Sequence, residues 1–201
     1  MRQLYRTLVS ATLAATLGGC SLGGLLGGGS KPPTTLQTLT TEAPDPGSIT
    51  RAANAGQAVT IAVPSVPKEL HTVRVPVQLT PTDVQYVTNL EWVDTPDRLF
   101  QALVAETVRR TTNRVVLDPN QTSLDPGLLV TGTLHRFGYD ASTGQVVVVY
   151  DASLSTSGGN RVDTRRFTAT APADGTGPSV GPALNHAANE VAMDVAKWIG
   201  G

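Results

Sequence analysis

Residues 128–154 read LLVTGTLHRFGYDASTGQVVVVYDASL, and this stretch decides the fold. Leu128 to Tyr139 and Gln145 to Leu154 are two long runs rich in β-branched and aromatic residues. Asp140-Ala141-Ser142-Thr143-Gly144 between them has the polar residues and the glycine of a tight connection, so the stretch predicts a β-hairpin. Strict alternation would put Val146, Val148, Tyr150, Ala152 and Leu154 on one face. Ser157-Gly158-Gly159-Asn160 reads as a second turn, after which Arg161 to Ala171 returns as a further strand. Such a sheet has an apolar face to bury, and the rest of the chain has to cover it.

Two segments have the period to do so. Thr95-Pro96-Asp97 reads as a helix start, with a threonine able to cap, a proline in the first turn and an acidic residue at the positive dipole end. Leu99, Phe100, Leu103, Val104 and Val108 recur at helical spacing through about Thr112, and Arg109 and Arg110 sit in the last turn. Near the C-terminus Leu184, Ala187, Ala188, Val191, Val195, Trp198 and Ile199 form a second apolar stripe. Pro182 is placed in the first turn of that helix, and Gly200 at a left-handed C-terminal position. Its stripe reads as core-packing rather than membrane-binding.

Upstream the signals are shorter. Thr34 to Thr40 reads as an edge strand, Glu42 to Gly56 as loop, and Gln57 to Val63 as a strand ended by Pro64 and Pro67. His71 to Leu79 is extended, with Pro76 predicting an edge position or a break. Asp83 to Thr88 and Arg114 to Leu117 read as short strands. Helices this few and this far apart exclude a doubly wound α/β sheet. The expectation is an α+β domain over 34–201, with a largely antiparallel β-sheet and two helices packed on one face.

The N-terminus belongs to a different regime. Arg2 and Arg6 form a basic n-region, and Leu8 to Leu17 an apolar h-region about half the length of the roughly 20 residues that span a bilayer. Leu17-Gly18-Gly19 then precedes Cys20, the only cysteine of the chain, which looks like a bacterial lipobox. Residues 1–19 read as a lipoprotein signal peptide, and Cys20 as the lipidation site. An ordinary export signal with an incidental cysteine is the alternative. Two or more acyl chains hold a protein stably at a bilayer where one does so only marginally. Ser21 follows where an aspartate often retains lipoproteins at the inner membrane, so by that rule the outer membrane is favoured. Residues 20–33, with Gly23-Gly24, Gly27-Gly28-Gly29 and Pro32-Pro33, read as a flexible tether reaching roughly 20 Å. Gly24 and Gly29 have phosphate-loop spacing, but Ser30-Lys31 reverses the order such a loop needs.

Composition narrows the functional classes. A net charge of −1 with no basic block leaves nucleic acid no electrostatic footprint. A single cysteine allows no internal disulfide. His71, His135 and His186 are widely separated and lack metal-ligand spacing. Helix capping accounts for Glu91, Asp94 and Asp97. The chain reads as non-enzymatic, with no metal and no cofactor beyond acyl chains on Cys20.

In order along the chain come the lipobox, the segment Thr34 to Leu39, and Ile61-Ala62-Val63-Pro64-Ser65-Val66-Pro67-Lys68-Glu69-Leu70. Glu91-Trp92-Val93-Asp94-Thr95-Pro96-Asp97 leads into the first helix, and Leu128 to Phe137, Gly144 to Leu154, Arg165-Arg166-Phe167 and Val191-Ala192-Met193 come after it. This ordered set resembles the auxiliary lipoprotein components of ABC-type transport systems, the PqiC-like family. The resemblance implies a non-enzymatic accessory subunit on the periplasmic face of the outer membrane. It would dock a periplasm-spanning mammalian-cell-entry (MCE) protein that works with an ABC permease and ATPase in lipid transport. Because MCE proteins are typically hexameric rings, a homo-oligomer is an expectation too. A Tyr-Leu-Asp-Arg-like stretch common in the family is replaced here by Lys68-Glu69-Leu70-His71, so any contact made there has to differ. Lys68, Glu69, Leu70, His71, Trp92, Arg165 and Arg166 are the expected partner contacts. The alternative is an independent periplasmic lipoprotein that itself binds a lipid or peptide.

Overall fold

A computed structural model describes residues 34–54, 56–119, 127–156 and 161–200. The expected signal peptide, Cys20, the expected tether and the turn expected at 157–160 lie outside the described residues. The chain divides at Pro32/Pro33, and every element described here belongs to the unit Pro33–Gly201.

Three long strands, β5 (Leu128–Asp140), β6 (Gln145–Thr156) and β7 (Val162–Pro172), form the expected antiparallel meander. The β5–β6 connection closes through Asp140, whose carboxylate accepts from Ser142 N and Oγ while its carbonyl accepts from Gly144 N. Gly144 has φ +65°, the left-handed conformation that such a loop puts on its last residue. Val146, Val148, Tyr150 and Ala152 are buried on one face, Leu154 is partly buried, and β7 adds Phe167, Ala169 and Ala171.

Helices α1 (Pro96–Thr111) and α2 (Gly177–Gly200) cover that face. Val180, Leu184, Ala188, Val191 and Val195 of α2 and Phe100, Leu103, Val104 and Val108 of α1 complete a single core. Tyr150 is its hub. Its ring lies against Gly132, where a Cβ would come within 2.7 Å of it, and meets Phe100 edge-on at 5.1 Å. The fold is α+β, as expected.

The short strands extend the sheet on the other side of β5. β1 (Val59–Ile61) runs parallel to the start of β5 and carries β4 (Val116–Leu117) on its outer side. The chain continues along the β5 edge through a parallel bridge at Ser65 and a 3-10 turn (Lys68–Leu70). β2 (Arg74–Gln78) then meets the far end of β5, again in parallel, with β3 (Val84–Glu91) outside it. The sheet is therefore mixed, with its longest ladders antiparallel.

Several local expectations change. Thr34 to Thr40 is not a strand. Only Gln37 pairs, in a parallel bridge to Trp92, because the chain there leaves the sheet to cross the helices. β2 is flanked on both sides rather than at an edge, and Pro76 is accommodated as a break. β2 bulges between Arg74 and Pro76, and pairing to β5 begins only at Val77. Gly138 leaves room for that proline, since a Cβ would sit 2.5 Å from its carbonyl oxygen. β3 runs on to Glu91, beyond the predicted Thr88. Thr95 makes no side-chain cap to α1, and its own N–H donates to Asp94 Oδ1 at 2.7 Å. α2 begins a turn early, because Asp174 accepts from Thr176 and the Thr176 carbonyl takes the first helical N–H groups. Pro182 thus falls in the second turn, and Gly200 ends the helix without a positive φ.

Candidate functional site

The meander has two faces, and only one is covered. On β7 the outward residues Val162, Thr164, Arg166, Thr168, Thr170 and Pro172 are all exposed, and both helices pack on the opposite side. A β-bulge in β5 between Leu134 and Arg136 sends His135 and Arg136 to this open face together.

A charged cluster results. Arg166 donates from Nε and Nη2 to both oxygens of Asp151, each at 2.6 Å, the fork geometry that arginine makes best. His135 Nε2 sits 3.0 Å from Asp151 Oδ2. Hydrogen bonding to Arg166 holds the Asp151 carboxyl below its ordinary range, the Arg166 charge adds to this, and His135 contributes less. Arg136 pairs with Asp140 at 2.9 Å; there the Ser142 hydrogen bond depresses the carboxyl most and Arg136 next. Exposed pairs of this kind contribute little to stability, so what the cluster offers is a fixed pattern of charge.

The 3-10 turn adjoins the cluster. A shallow cavity of about 30 Å³ is lined by Glu69 and Leu70 together with His135, Arg136 and Phe137. Lys68 and His71 are exposed and Glu69 is partly so, and His71 Nε2 lies 3.1 Å from the Val66 carbonyl. Next to the turn, Arg74 stacks over the Tyr86 ring at 4.3 Å. The structure thus brings Glu69 and Arg166 toward one surface through His135, Arg136 and Asp151.

Other expected contacts fall elsewhere. Leu70 and Trp92 are each 1% exposed and face the core, where Trp92 packs on Phe137 at 5.7 Å, so neither side chain offers surface to a partner. Arg165, the neighbour of Arg166, points to the helix side because successive strand residues alternate. There it lies 6.0 Å from the rings of both Phe167 and Trp198. Cys20 lies outside the described residues.

Sequence reading missed His135, Arg136 and Asp151. Asp151 was legible as the one acid in an apolar run, but the bulge that pairs it with His135 has no local sequence signal. Each histidine has its own neighbour, Val66, Asp151 or Glu42, and among the described residues no three His, Cys, Asp or Glu side chains cluster as metal ligands. No helix among the described residues is long and apolar enough to cross a membrane.

Known proteins resemble this fold over nearly its whole length. The family model for the ABC-type transport auxiliary lipoprotein component matches residues 38–196. A crystal structure from Xanthomonas campestris, of family model DUF330, superposes with a TM-score of 0.65 at 18% identity, covering 85% of this chain and 94% of that one. An uncharacterised protein superposes at 0.60 with 14% identity, covering 82% and 99%. A PelC dodecamer from Paraburkholderia phytofirmans is a looser likeness, at 0.43 with 14% identity, covering 76% and 94%. No curated protein sequence matches.

Proposed function

We propose that this chain, which belongs to the ABC-type transport auxiliary lipoprotein component family, docks a periplasm-spanning MCE protein at the outer membrane and takes no part in covalent chemistry. The carrying observation is the family match across the folded unit. The transporter's permease and ATPase supply the work, and this subunit supplies position. Acyl chains on Cys20 anchor the chain to the periplasmic face of the outer membrane. Anchoring turns the encounter into a search confined to a surface, which raises effective concentration without new contacts.

The open sheet face is the docking surface in this reading. It is polar, uncovered by either helix, and carries the Glu69–His135–Asp151–Arg166 pattern beside the turn where the sequence departs from its family. Charge placed this way steers encounter and fixes register more than it adds affinity. The inward face is packed by α1 and α2 into one core.

Affinity capture of the tagged full-length chain from detergent-solubilised envelopes, with mass spectrometry of what accompanies it, tests the reading. Recovery of an MCE protein with ABC subunits, weakened by Cys20→Ala, is the expected outcome. Recovery of neither from well-folded protein would overturn it.

A further inference from the structure

We propose that the free edge of β7 is a docking site for an extended segment of another protein, one that carries a basic side chain and adds to the sheet as a further strand. β7 pairs with β6 alone, and its register shows no shift along Val162–Pro172. The two ends of the ladder fix which backbone groups face out. Ala173 N donates to the Gly144 carbonyl at 3.1 Å, and Thr156 N to the Arg161 carbonyl at 3.3 Å. Bonded pairs recur at every second residue of an antiparallel ladder, so Asp163, Arg165, Phe167, Ala169 and Ala171 turn their N–H and C=O groups to β6. Those of Thr164, Arg166, Thr168 and Thr170 point away from the sheet, and no described residue bonds to them.

The other edges of the sheet are blunted and this one is not. β4 is only two residues long. β3 bulges against β2, and its Asn89 adopts a left-handed φ of 57°. β7 has no bulge and no lysine, residues 167–171 carry no charge, and its proline comes only at the last position. An edge of this kind accepts another strand through main-chain hydrogen bonds.

What lies beside the edge identifies the occupant. A groove of about 550 Å³ is lined by Thr168 and Ala169 of β7 and by Glu190, Met193, Asp194 and Lys197 of α2. An added strand would turn alternate side chains into it. Met193 offers an adaptable apolar contact. Glu190 and Asp194 are exposed, and Glu42 adds a third carboxylate at the lip. Lys197 pairs with Asp194 at 3.0 Å, and His186 lies between Glu42 and Glu190, at 3.1 and 3.6 Å. Carboxylates outnumber the one lysine here, so a lysine or arginine in the added strand complements the groove. A second copy of β7 fits less well. Pairing about Phe167, the midpoint of the strand, would set Arg166 diagonal to its counterpart on one face. This docking stands whether or not an MCE protein is the transport partner.

A phage library of random linear peptides, selected on the immobilised full chain carrying Cys20→Ala, supplies the probes. The expected result is a family of enriched peptides that share a lysine or arginine and bind the chain in solution. Thr168→Pro removes one outward N–H and leaves the bonds to β6 in place, so it should weaken that binding about tenfold, while Thr168→Val should not. N-methylation of alternate peptide amides should weaken it as much with the protein unchanged. Glu190→Lys should lower affinity for the basic peptides and raise it for versions with glutamate in that place. No enrichment over the bare support, enriched peptides without a shared basic residue, or binding indifferent to both Thr168→Pro and N-methylation would overturn the proposal. So would light scattering that finds the free chain already paired and Thr168→Pro dissociating it, because the occupant would then be a second copy.

Discussion

The two faces of the β5–β7 meander are written in alternate residues of the same strands, yet they do different work. Inward, Val146, Val148, Tyr150 and Phe167 are sealed beneath two helices. Outward, Thr164, Arg166, Thr168 and Thr170 stand in water, with charges ordered around Asp151. Arg165 and Arg166 make the contrast within a single dipeptide, one held over Phe167 and Trp198 and the other forked onto Asp151. Large energies sit on the first face. On the second, little energy is stored and much pattern is displayed, which is what a docking surface requires.

The contrast can be broken most forcefully from the covered side. Phe100→Ala removes the ring that meets Tyr150 and leaves a cavity, so chemical denaturation should show a loss of about 3–5 kcal/mol. Gly138→Ala probes the seam between β2 and β5. The new methyl would meet the Pro76 carbonyl, and the expected loss is about 1–3 kcal/mol in the same assay.

Changes on the open face should leave denaturation almost untouched. Arg166→Gln should return the Asp151 carboxyl toward its ordinary range, followed by NMR titration of the carboxyl carbon. The sign of the pH dependence is set by that depression. A carboxyl whose folded value is depressed contributes its stability above the unfolded value, and loses it as pH falls through the folded one. The wild type should therefore shed this small contribution only in acid, below about pH 4, and the variant should show less of that acid-dependent loss.

The covered face was legible because burial imposes a period. Two-residue alternation in β6 and helical spacing in α1 and α2 are enough to name most of the core. The parallel pairings were not legible, since they join Val59 to Leu128 and Val77 to Tyr139 across long separations with no turn to announce them. The open-face cluster was half visible. Arg166 and Glu69 stood out, while His135 and Asp151 depended on a bulge that only the folded sheet reveals. The segment 37–43 is extended without being a strand for a related reason. Its hydrogen-bond partners, Asn185 and Asn189, are side chains on a helix about 145 residues away.

The neighbouring arginines provide the most direct measurement. Full-length Arg166→Glu and Arg165→Glu chains, each checked for native circular dichroism, would be captured in parallel from solubilised envelopes, and the proposed MCE partner would be quantified by mass spectrometry. Docking through the open face predicts that Arg166→Glu loses the partner while Arg165→Glu keeps it. Equal recovery by both, or loss by Arg165→Glu alone, would contradict it.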